Sequence, residues 1–259
     1  MTQTLGLDPE DIRRLEATAT SAWPPVKQDD LEGWLLGFDR SVTGRANSAL
    51  ANAPVPAAEL EARIAEVERR YRAHGLPPRF KVSPGSLPAD LDHRLAARGY
   101  RAEGHAQVLV ADLDAALRAS EERPQISLQL LQDPEPLWCE ACWPEAAPAE
   151  AEARRLISAR IASPRAFALA RIDGAAAGAA VASVNQGWAC ITAVHTLAAC
   201  RRRGVARALM AGLTAWAGVQ GAARLYLQVE EGNRAAQALY AQLGFGVAYA
   251  YHYRRLAEG

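Results

Sequence analysis

The stretch AVHTLAACRRRGVARALM, residues 193–210, decides the fold. A buried strand runs through a short turn into a helix that begins with small and basic residues. The start of a helix presents backbone N–H groups without intrahelical partners and the positive end of the helix dipole. Gly204 and Ala206 are small enough to let a diphosphate approach those groups, and Arg201, Arg202 and Arg203 add positive charge. This segment therefore predicts an anion-binding turn.

The flanking sequence predicts a mixed sheet with crossover helices. Short apolar runs bounded by turn residues predict strands at 126–131, 166–172, 176–185, 188–197, 223–229 and 246–256. Apolar residues at helical spacing predict helices at 136–142, 149–161, 205–219 and 233–244. Asp173–Gly174 and Gln186–Gly187 mark turns between strands. Strands that alternate with helices toward the end of the chain imply an α/β fold with parallel pairing there.

The first part of the chain predicts a second, less regular module. A hairpin at 33–51, a helix at 57–75, a strand at 79–83, a helix at 87–99 and a strand at 105–113 are expected. The run that ends at Tyr100 parallels the run that ends at Phe245, which points to an internal duplication. The polar segment 111–125, which contains Pro124, predicts the joint. We expect one domain over 1–115 and a second over 125–259.

Composition excludes several classes of protein. The chain has 259 residues and equal numbers of basic and acidic side chains, 29 of each, so no overall field attracts nucleic acid or an anionic membrane. The sequence predicts no signal peptide and no membrane span. Four cysteines fit a reduced, cytoplasmic setting. Cys139 and Cys142 lack a second pair at zinc spacing, so we interpret them as helix packing and expect no metal.

Two motifs in register resemble the GNAT superfamily of N-acetyltransferases. Arg201-x-x-Gly204-x-Ala206 matches the Arg/Gln-x-x-Gly-x-Gly/Ala pyrophosphate signature of that family, and Asn233 followed by LYAQLGF to Phe245 matches its later helix. The resemblance covers about 126–255 and implies a GNAT fold that binds acetyl-CoA. The positions it implies for cofactor binding are Val194, His195, Thr196, Arg201, Arg202, Arg203, Gly204, Val205, Ala206, Arg207, Asn233, Ala236 and Tyr240.

The resemblance also implies catalytic roles. Tyr240 matches the family tyrosine that protonates the departing thiolate, a task that suits a phenol with a pKa of ~10. His195 and Glu230 (or the adjacent Glu231) are the candidate bases for the attacking amine. Each position has a structural alternative: core packing for Tyr240, a plain helix cap for Asn233, and an outward-facing side chain for His195.

The first module is similar to a degenerate GNAT half of the bacterial tandem-GNAT type. GWLLGF at 33–38 with RANS at 45–48 carries this likeness. No Arg-x-x-Gly-x-Ala precedes the helix at 57–75, and Leu95 stands where Tyr240 lies in the second module. This half is therefore not expected to bind CoA productively. It either lines the acceptor site through Trp34, Arg45 and Asn47, or it acts as a scaffold for the catalytic half.

The sequence thus predicts an acyltransferase that moves an acetyl group from acetyl-CoA to a primary amine by direct attack in a ternary complex. Both a small-molecule amine and a peptide amine remain open as acceptor, and both a monomer and a homodimer remain open as assembly. The alternative is a non-catalytic protein that binds or senses acyl-CoA. A nucleotide-binding or phosphosugar-binding protein shares the anion site, but the sequence offers no acidic partner for a ribose and no catalytic metal cluster.

Overall fold

The computed structural model describes residues 6–40, 42–120 and 125–257. These residues form two compact units. The N-terminal unit comprises Gly6–Gln107 with the described residues from Ala248 onward, and the C-terminal unit is Val108–Val247. Of the expected joint, 111–120 complete a strand and a short helix, while 121–124, including Pro124, lie outside the described residues. The division into domains 1–115 and 125–259 stays a prediction.

The N-terminal unit is a small sheet covered by helices. Its helices are α1 (Pro9–Ala22), α2 (Leu60–Ala73) and α3 (Leu91–Ala97), and its strands are β1 (Lys27–Leu31), β2 (Trp34–Phe38), β3 (Ala49–Ala51), β4 (Arg79–Val82) and the first part of β5 (Arg101–Asp112). β1, β2 and β3 pair antiparallel in that order, and β3 pairs parallel with β4. Every strand and helix expected here is present. Helix α1, which has Asp8 as its N-cap and Pro9 in its first turn, was not predicted.

The C-terminal unit contains a larger sheet, and its elements match the sequence predictions closely. Its helices are α4 (Leu113–Arg118), α5 (Pro136–Cys142), α6 (Pro148–Ala159), α7 (Val205–Val219) and α8 (Arg234–Gln242). Its strands are the end of β5, then β6 (Ser127–Leu131), β7 (Arg165–Ile172), β8 (Ala175–Asn185), β9 (Trp188–Thr196), β10 (Arg224–Glu230) and the start of β11 (Gly246–Arg255).

The order of the strands confirms a mixed α/β sheet. Within this unit the order is β5-β10-β9-β8-β7-β6. The four strands β6, β7, β8 and β9 pair antiparallel with one another in that order. β10 pairs parallel with β9, and the crossover helix α7 connects the two. In the N-terminal unit, the residues of β11 from His252 to Arg255 pair antiparallel with β4.

The predicted turns have the backbone geometry that their residues favour. Asp173 and Gly174 have φ of 51° and 80°, and Gln186 and Gly187 have φ of 50° and 75°. Two successive residues with positive φ are typical of the tight turn that follows the twist of antiparallel strands. These two turns fix the register of β7, β8 and β9, and so they determine where β9 ends.

Helix α7 packs its apolar side against β7, β8 and β9. Leu209 and Leu213 are fully buried, and Trp216 packs against the same core, as the helical spacing predicted. Burial of a leucine side chain contributes about 1.5–3 kcal/mol, so this face anchors the start of the helix beside β9. No helix among the described residues is long and apolar enough to cross a membrane.

Candidate active site

The parallel strands β9 and β10 pair only where they begin. Trp188–Cys190 pair with Arg224–Tyr226, and beyond these residues the two strands have no further pairing. β9 stays paired with β8 as far as Thr196. The two parallel strands therefore part, and the backbone of Val194, His195 and Thr196 borders an opening on the β10 side. All three residues are half-buried.

β9 carries a bulge at this opening. Ala179 pairs with His195, and Val181 pairs with Thr192, so Ala193 and Val194 together lie opposite the single residue Ala180. Ala193 has a φ of 54°, in the left-handed region that an alanine adopts only at a cost in free energy. A bulge bends its strand and re-aims the residues around it, often next to a functional site. This bulge could not be predicted from the sequence, because no glycine marks it.

The turn into α7 leaves the first amides of the helix available. Gly204 is the N-cap, has a φ of 88°, and supplies no side-chain hydrogen bond to the helix. Arg202 also has a positive φ, 64°. The first backbone N–H to bond back within the helix is that of Ala208, to the carbonyl oxygen of Gly204. The preceding N–H groups point out of the helix start, which is the arrangement that binds phosphate groups.

The side chains at this turn surround the helix start with positive charge. Arg201, Arg202 and Arg203 are exposed, and Val205 is buried beneath them. The Arg207 guanidinium donates a hydrogen bond to the Gln242 side chain at the end of α8. The predicted basic cluster is therefore present at the surface of the turn.

Several predicted cofactor positions lie in one packed group. Val205 and Tyr240 belong to the buried core of the C-terminal unit, and Val194 and Ala236 pack against that core. Gly178 on β8 permits this convergence, because a β-carbon there would come within 2.5 Å of the His195 carbonyl oxygen and 2.8 Å of the Val205 side chain. Gly178 was not singled out from the sequence, since its close neighbours are distant in the chain.

Asn233 caps helix α8. Its side-chain oxygen accepts a hydrogen bond from the backbone N–H of Ala236 at 3.1 Å. Gln237 donates to the carbonyl oxygens of Glu230 and Glu231 at 3.1 and 3.0 Å, which fixes the loop before the helix. The structural alternative for Asn233 is thus observed, and contacts of Asn233 and Ala236 with a cofactor stay predictions.

Tyr240 is buried, but its hydroxyl group is not sealed from solvent. The residue is 8% exposed, and burial raises the pKa of its phenol to about 12. Its ring lies 6.0 Å from the ring of Phe245. Across the described ranges 6–40, 42–120 and 125–257 its hydroxyl has no hydrogen-bond partner. The polar atoms that are fully buried without a partner do not include this hydroxyl, so it keeps some contact with solvent. The hydroxyl therefore reaches the surface with its proton uncommitted.

His195 faces a small cavity in the C-terminal unit. The cavity has a volume of about 280 Å³ and lies between β9 and the loop that joins α5 to α6, with Trp143, Glu145 and Glu150 in its wall. Glu150 is paired with Arg154 at 2.7 Å, which leaves Glu145 as the carboxylate without an ion-pair partner among the cavity's described residues. This loop was not predicted to contribute to the site. The stretch WPEAAP that forms it resembles an ordinary linker.

Burial lowers the pKa of His195 below its usual range. Loss of solvent disfavours the imidazolium, and the positive charge of Arg201 acts in the same direction, while Glu145 opposes both. His195 is therefore neutral at pH 7 and able to accept a proton. Glu230, the other candidate base, lies exposed at the end of β10.

The three candidate substrate residues of the N-terminal unit are engaged within that unit. Trp34 is fully buried and donates from its ring nitrogen to the Ala53 carbonyl oxygen at 2.9 Å. Asn47 accepts from the Asp39 N–H at 2.8 Å, and the Arg45 guanidinium lies over a tryptophan ring at 4.7 Å. These contacts support the scaffold interpretation, and a role in acceptor binding stays a prediction.

No group of three or more His, Cys, Asp or Glu side chains among the described residues is placed to hold a metal ion. Cys142 is buried, and burial raises the pKa of its thiol well above the usual range. Burial also raises the pKa of Cys139, to about 11. Thiols in this state are poor nucleophiles and poor metal ligands, which agrees with a packing role for both residues.

Solved structures share this architecture across the whole chain. A GCN5-related N-acetyltransferase from Kribbella flavida aligns over 99% of this chain and 98% of its own, with a TM-score of 0.75 and 16% identity. A tandem GNAT protein from the clavulanic acid biosynthesis pathway aligns over 99% of this chain and 90% of its own, with a TM-score of 0.64 and 14% identity. The fold is that of the GNAT superfamily, as the motifs predicted.

The sequence comparisons define the family more closely. The family model described as "Probable histone acetyltransferase Rv0428c C-terminal" matches residues 10–255, and the chain belongs to this family. The uncharacterized N-acetyltransferase YobR of Bacillus subtilis is 27% identical over 95% of this chain and 98% of its own. The probable histone acetyltransferase Rv0428c of Mycobacterium tuberculosis is 30% identical over 90% of this chain and 70% of its own. Membership supports acyl transfer as the general activity.

Proposed function

We propose that this protein transfers an acetyl group from acetyl-CoA to a primary amine, with both substrates bound together and no covalent enzyme intermediate. The observation that carries the proposal is the uncapped start of α7 at Gly204, next to the point where β9 and β10 part. An anion site and an open strand edge in one place match a ligand that has both a diphosphate and an extended amide-containing arm.

The residues present fit acetyl-CoA. The free N–H groups from Gly204 to Arg207, with the three exposed arginines before them, would hold the diphosphate. The half-buried backbone of β9 from Val194 to Thr196 would hold the arm as an added strand does. Acetyl-CoA, when bound, supplies an acetyl group that is already activated as a thioester.

Acid and base functions follow from the protonation states in the site. A Tyr240 with a pKa of about 12 keeps its proton at neutral pH and can donate it to a leaving thiolate. His195, held neutral by burial, can accept the proton of an incoming ammonium directly or through water. Glu230, exposed at the end of β10, is the alternative base.

The acceptor would enter the cavity beside His195. A volume of about 280 Å³ suits a small amine or the end of one side chain rather than a large molecule. The lone carboxylate of Glu145 would attract an ammonium group. The name of the M. tuberculosis relative refers to histones, so a lysine-containing peptide belongs in the acceptor set beside small amines.

The test is a panel of amines and lysine peptides, with release of free thiol from acetyl-CoA as the signal. Amine-dependent release, with the acetylated product identified by mass spectrometry, is expected for at least one acceptor. Binding of CoA without release from any acceptor would favour the non-catalytic alternative. Absence of CoA binding, with ATP or NAD bound instead, would contradict the proposal entirely.

A further inference from the structure

One helix holds both sides of the bulge in β9. Helix α5 packs against β8 and β9, and Trp138 and Cys142 lie four residues apart on it, so both side chains face the sheet. The Trp138 ring nitrogen donates to the Ala180 carbonyl oxygen at 3.0 Å. The Cys142 thiol donates to the Ala193 carbonyl oxygen at 3.1 Å.

These two carbonyl groups are the ones that define the bulge. Ala180 is the residue of β8 that lies opposite it, and Ala193 is the bulged residue with positive φ. Each strand therefore has a side-chain donor at the position where the register of the ladder shifts. We call the pair of donors on Trp138 and Cys142 the α5 clamp.

The surroundings of the α5 clamp favour both hydrogen bonds, of which the thiol supplies the weaker donor. Trp138 is 0% exposed and Cys142 is 3% exposed, so water has little access to either donor, and the bond from Trp138 to Ala180 is buried. Burial also raises the pKa of the Cys142 thiol well above its usual range, which keeps the proton on sulfur and keeps the group a donor. An alanine in the left-handed region costs about 1–2 kcal/mol, so the conformation of Ala193 needs such support.

We propose that Trp138 and Cys142 are positioning residues, which hold the bulge so that the backbone of Val194 and His195 stays aimed at the opening between β9 and β10. This inference rests on the proposed function, because that backbone is the part of β9 assigned to the acetyl-CoA arm and thioester. The clamp acts through the backbone of β8 and β9. Cys142 also lines the cavity proposed for the acceptor, so the exchange measurement below, made without any substrate, separates the effect on the backbone from a direct contact with the acceptor.

The chain contains a matched control for Cys142. Cys139 is on the same helix, and its thiol also donates to a carbonyl oxygen, that of Pro134 at 3.6 Å, away from the bulge. Cys142→Ala removes the clamp donor, Cys142→Ser restores a donor of similar size, and Cys139→Ala removes a thiol from the same helix without changing the clamp.

Two measurements on these variants test the clamp. The first is the steady-state kcat and KM for acetyl-CoA with the best acceptor from the panel. The second is hydrogen–deuterium exchange of the peptide spanning 188–197 in the protein without any cofactor. Misplacement of reacting groups by about 1 Å can lower a rate 100-fold, so we expect Cys142→Ala to lower kcat at least about tenfold. Its KM for acetyl-CoA should rise by a smaller factor than kcat falls, because the diphosphate turn at α7 is intact and only the contacts of β9 with the arm are displaced.

Exchange in 188–197 should rise in Cys142→Ala and return toward the wild-type value in Cys142→Ser, and Cys139→Ala should match the wild type in both measurements. Unchanged kcat in Cys142→Ala, whether or not its exchange rises, would overturn the positioning role. A wild-type protein that transfers no acetyl group to any amine, together with raised exchange in Cys142→Ala, would refute the proposed function while supporting the clamp on the bulge.

Discussion

Tyr240→Phe removes one oxygen atom from the candidate site and leaves the packing of the ring unchanged. The ring contacts Phe245 and the core of the C-terminal unit, and phenylalanine preserves both contacts. The lost hydroxyl group has no partner within the described residues, so its removal should change the free energy of unfolding by no more than about 0.5 kcal/mol. Any large effect on turnover therefore comes from chemistry.

The size of that effect follows from the role of a general acid. With a pKa of about 12, only about one Tyr240 in 10⁵ is ionised at pH 7, so nearly every molecule has the proton that the leaving thiolate needs. General acid catalysis contributes about 10²–10⁴-fold to a rate. We expect kcat to fall by at least about 100-fold, while the dissociation constant for CoA measured by calorimetry stays within about twofold of the wild type.

Tyr249→Phe is the matched control for this prediction. Tyr249 is also buried, but its hydroxyl donates to the Glu16 carboxylate at 2.8 Å in the N-terminal unit. Its loss should lower the unfolding free energy by about 1.5–3 kcal/mol and leave kcat unchanged, the opposite pattern to Tyr240→Phe. Wild-type kcat in Tyr240→Phe would refute the acid role, and a large loss of stability in that variant would refute the argument that its hydroxyl is uncommitted.

Three further predictions concern the turn, the base and the cavity. Gly204→Ala places a β-carbon on a residue with a φ of 88°, so it should cost about 1–2 kcal/mol of unfolding free energy and weaken CoA binding in calorimetry; unchanged affinity would argue against this turn as the anion site. The acid limb of the kcat–pH profile should have a midpoint below the ordinary histidine pKa of ~6.5. Arg201→Ala should move this midpoint to higher pH, because that arginine helps to lower the pKa of His195. An unmoved midpoint would exclude His195 as the group whose titration produces the acid limb. Glu145→Gln should raise the KM of a cationic amine, whereas Glu140→Gln, an equal loss of charge on α5 outside the cavity wall, should not; equal effects of the two changes would assign them to the overall field rather than to the cavity.

Much of the fold could be predicted because its signals are local. The turns at Asp173–Gly174 and Gln186–Gly187 are each specified by two adjacent residues, and they separate apolar runs of strand length. Helix α1 was not predicted, although Asp8 at its N-cap, Pro9 in its first turn and the helical spacing of Ile12 and Leu15 are local signals of a helix.

The likeness between the two modules also rests on local sequence, and the backbone geometry at the ends of their matching helices is the same in the structure. Gly99 and Gly244 have φ of 90° and 85°. The N–H of Tyr100 bonds to the Leu95 carbonyl oxygen and that of Phe245 to the Tyr240 carbonyl oxygen, each at 3.0 Å. Leu95 therefore occupies the position of Tyr240 in the same helix-ending motif, and the internal duplication itself stays a prediction.

The site was predictable only where its parts are contiguous in the chain. The turn from Arg201 to Gly204 could be predicted because charge, glycine and helix start are adjacent in the sequence. The α5 clamp could not, because its bonds join residues 42 and 51 positions apart, Trp138 to Ala180 and Cys142 to Ala193. Packing of α5 on the sheet creates those contacts, and no spacing rule in a single sequence encodes them.

The start of α7 is central to the proposed function, because the diphosphate of CoA is expected to bind there. A crystal structure of the protein with acetyl-CoA tests this claim directly. We predict diphosphate oxygen atoms at hydrogen-bonding distance, about 2.7–3.2 Å, from the backbone nitrogen atoms between Gly204 and Arg207. Density for the diphosphate at any other place on the protein, or none at a saturating concentration, would contradict it.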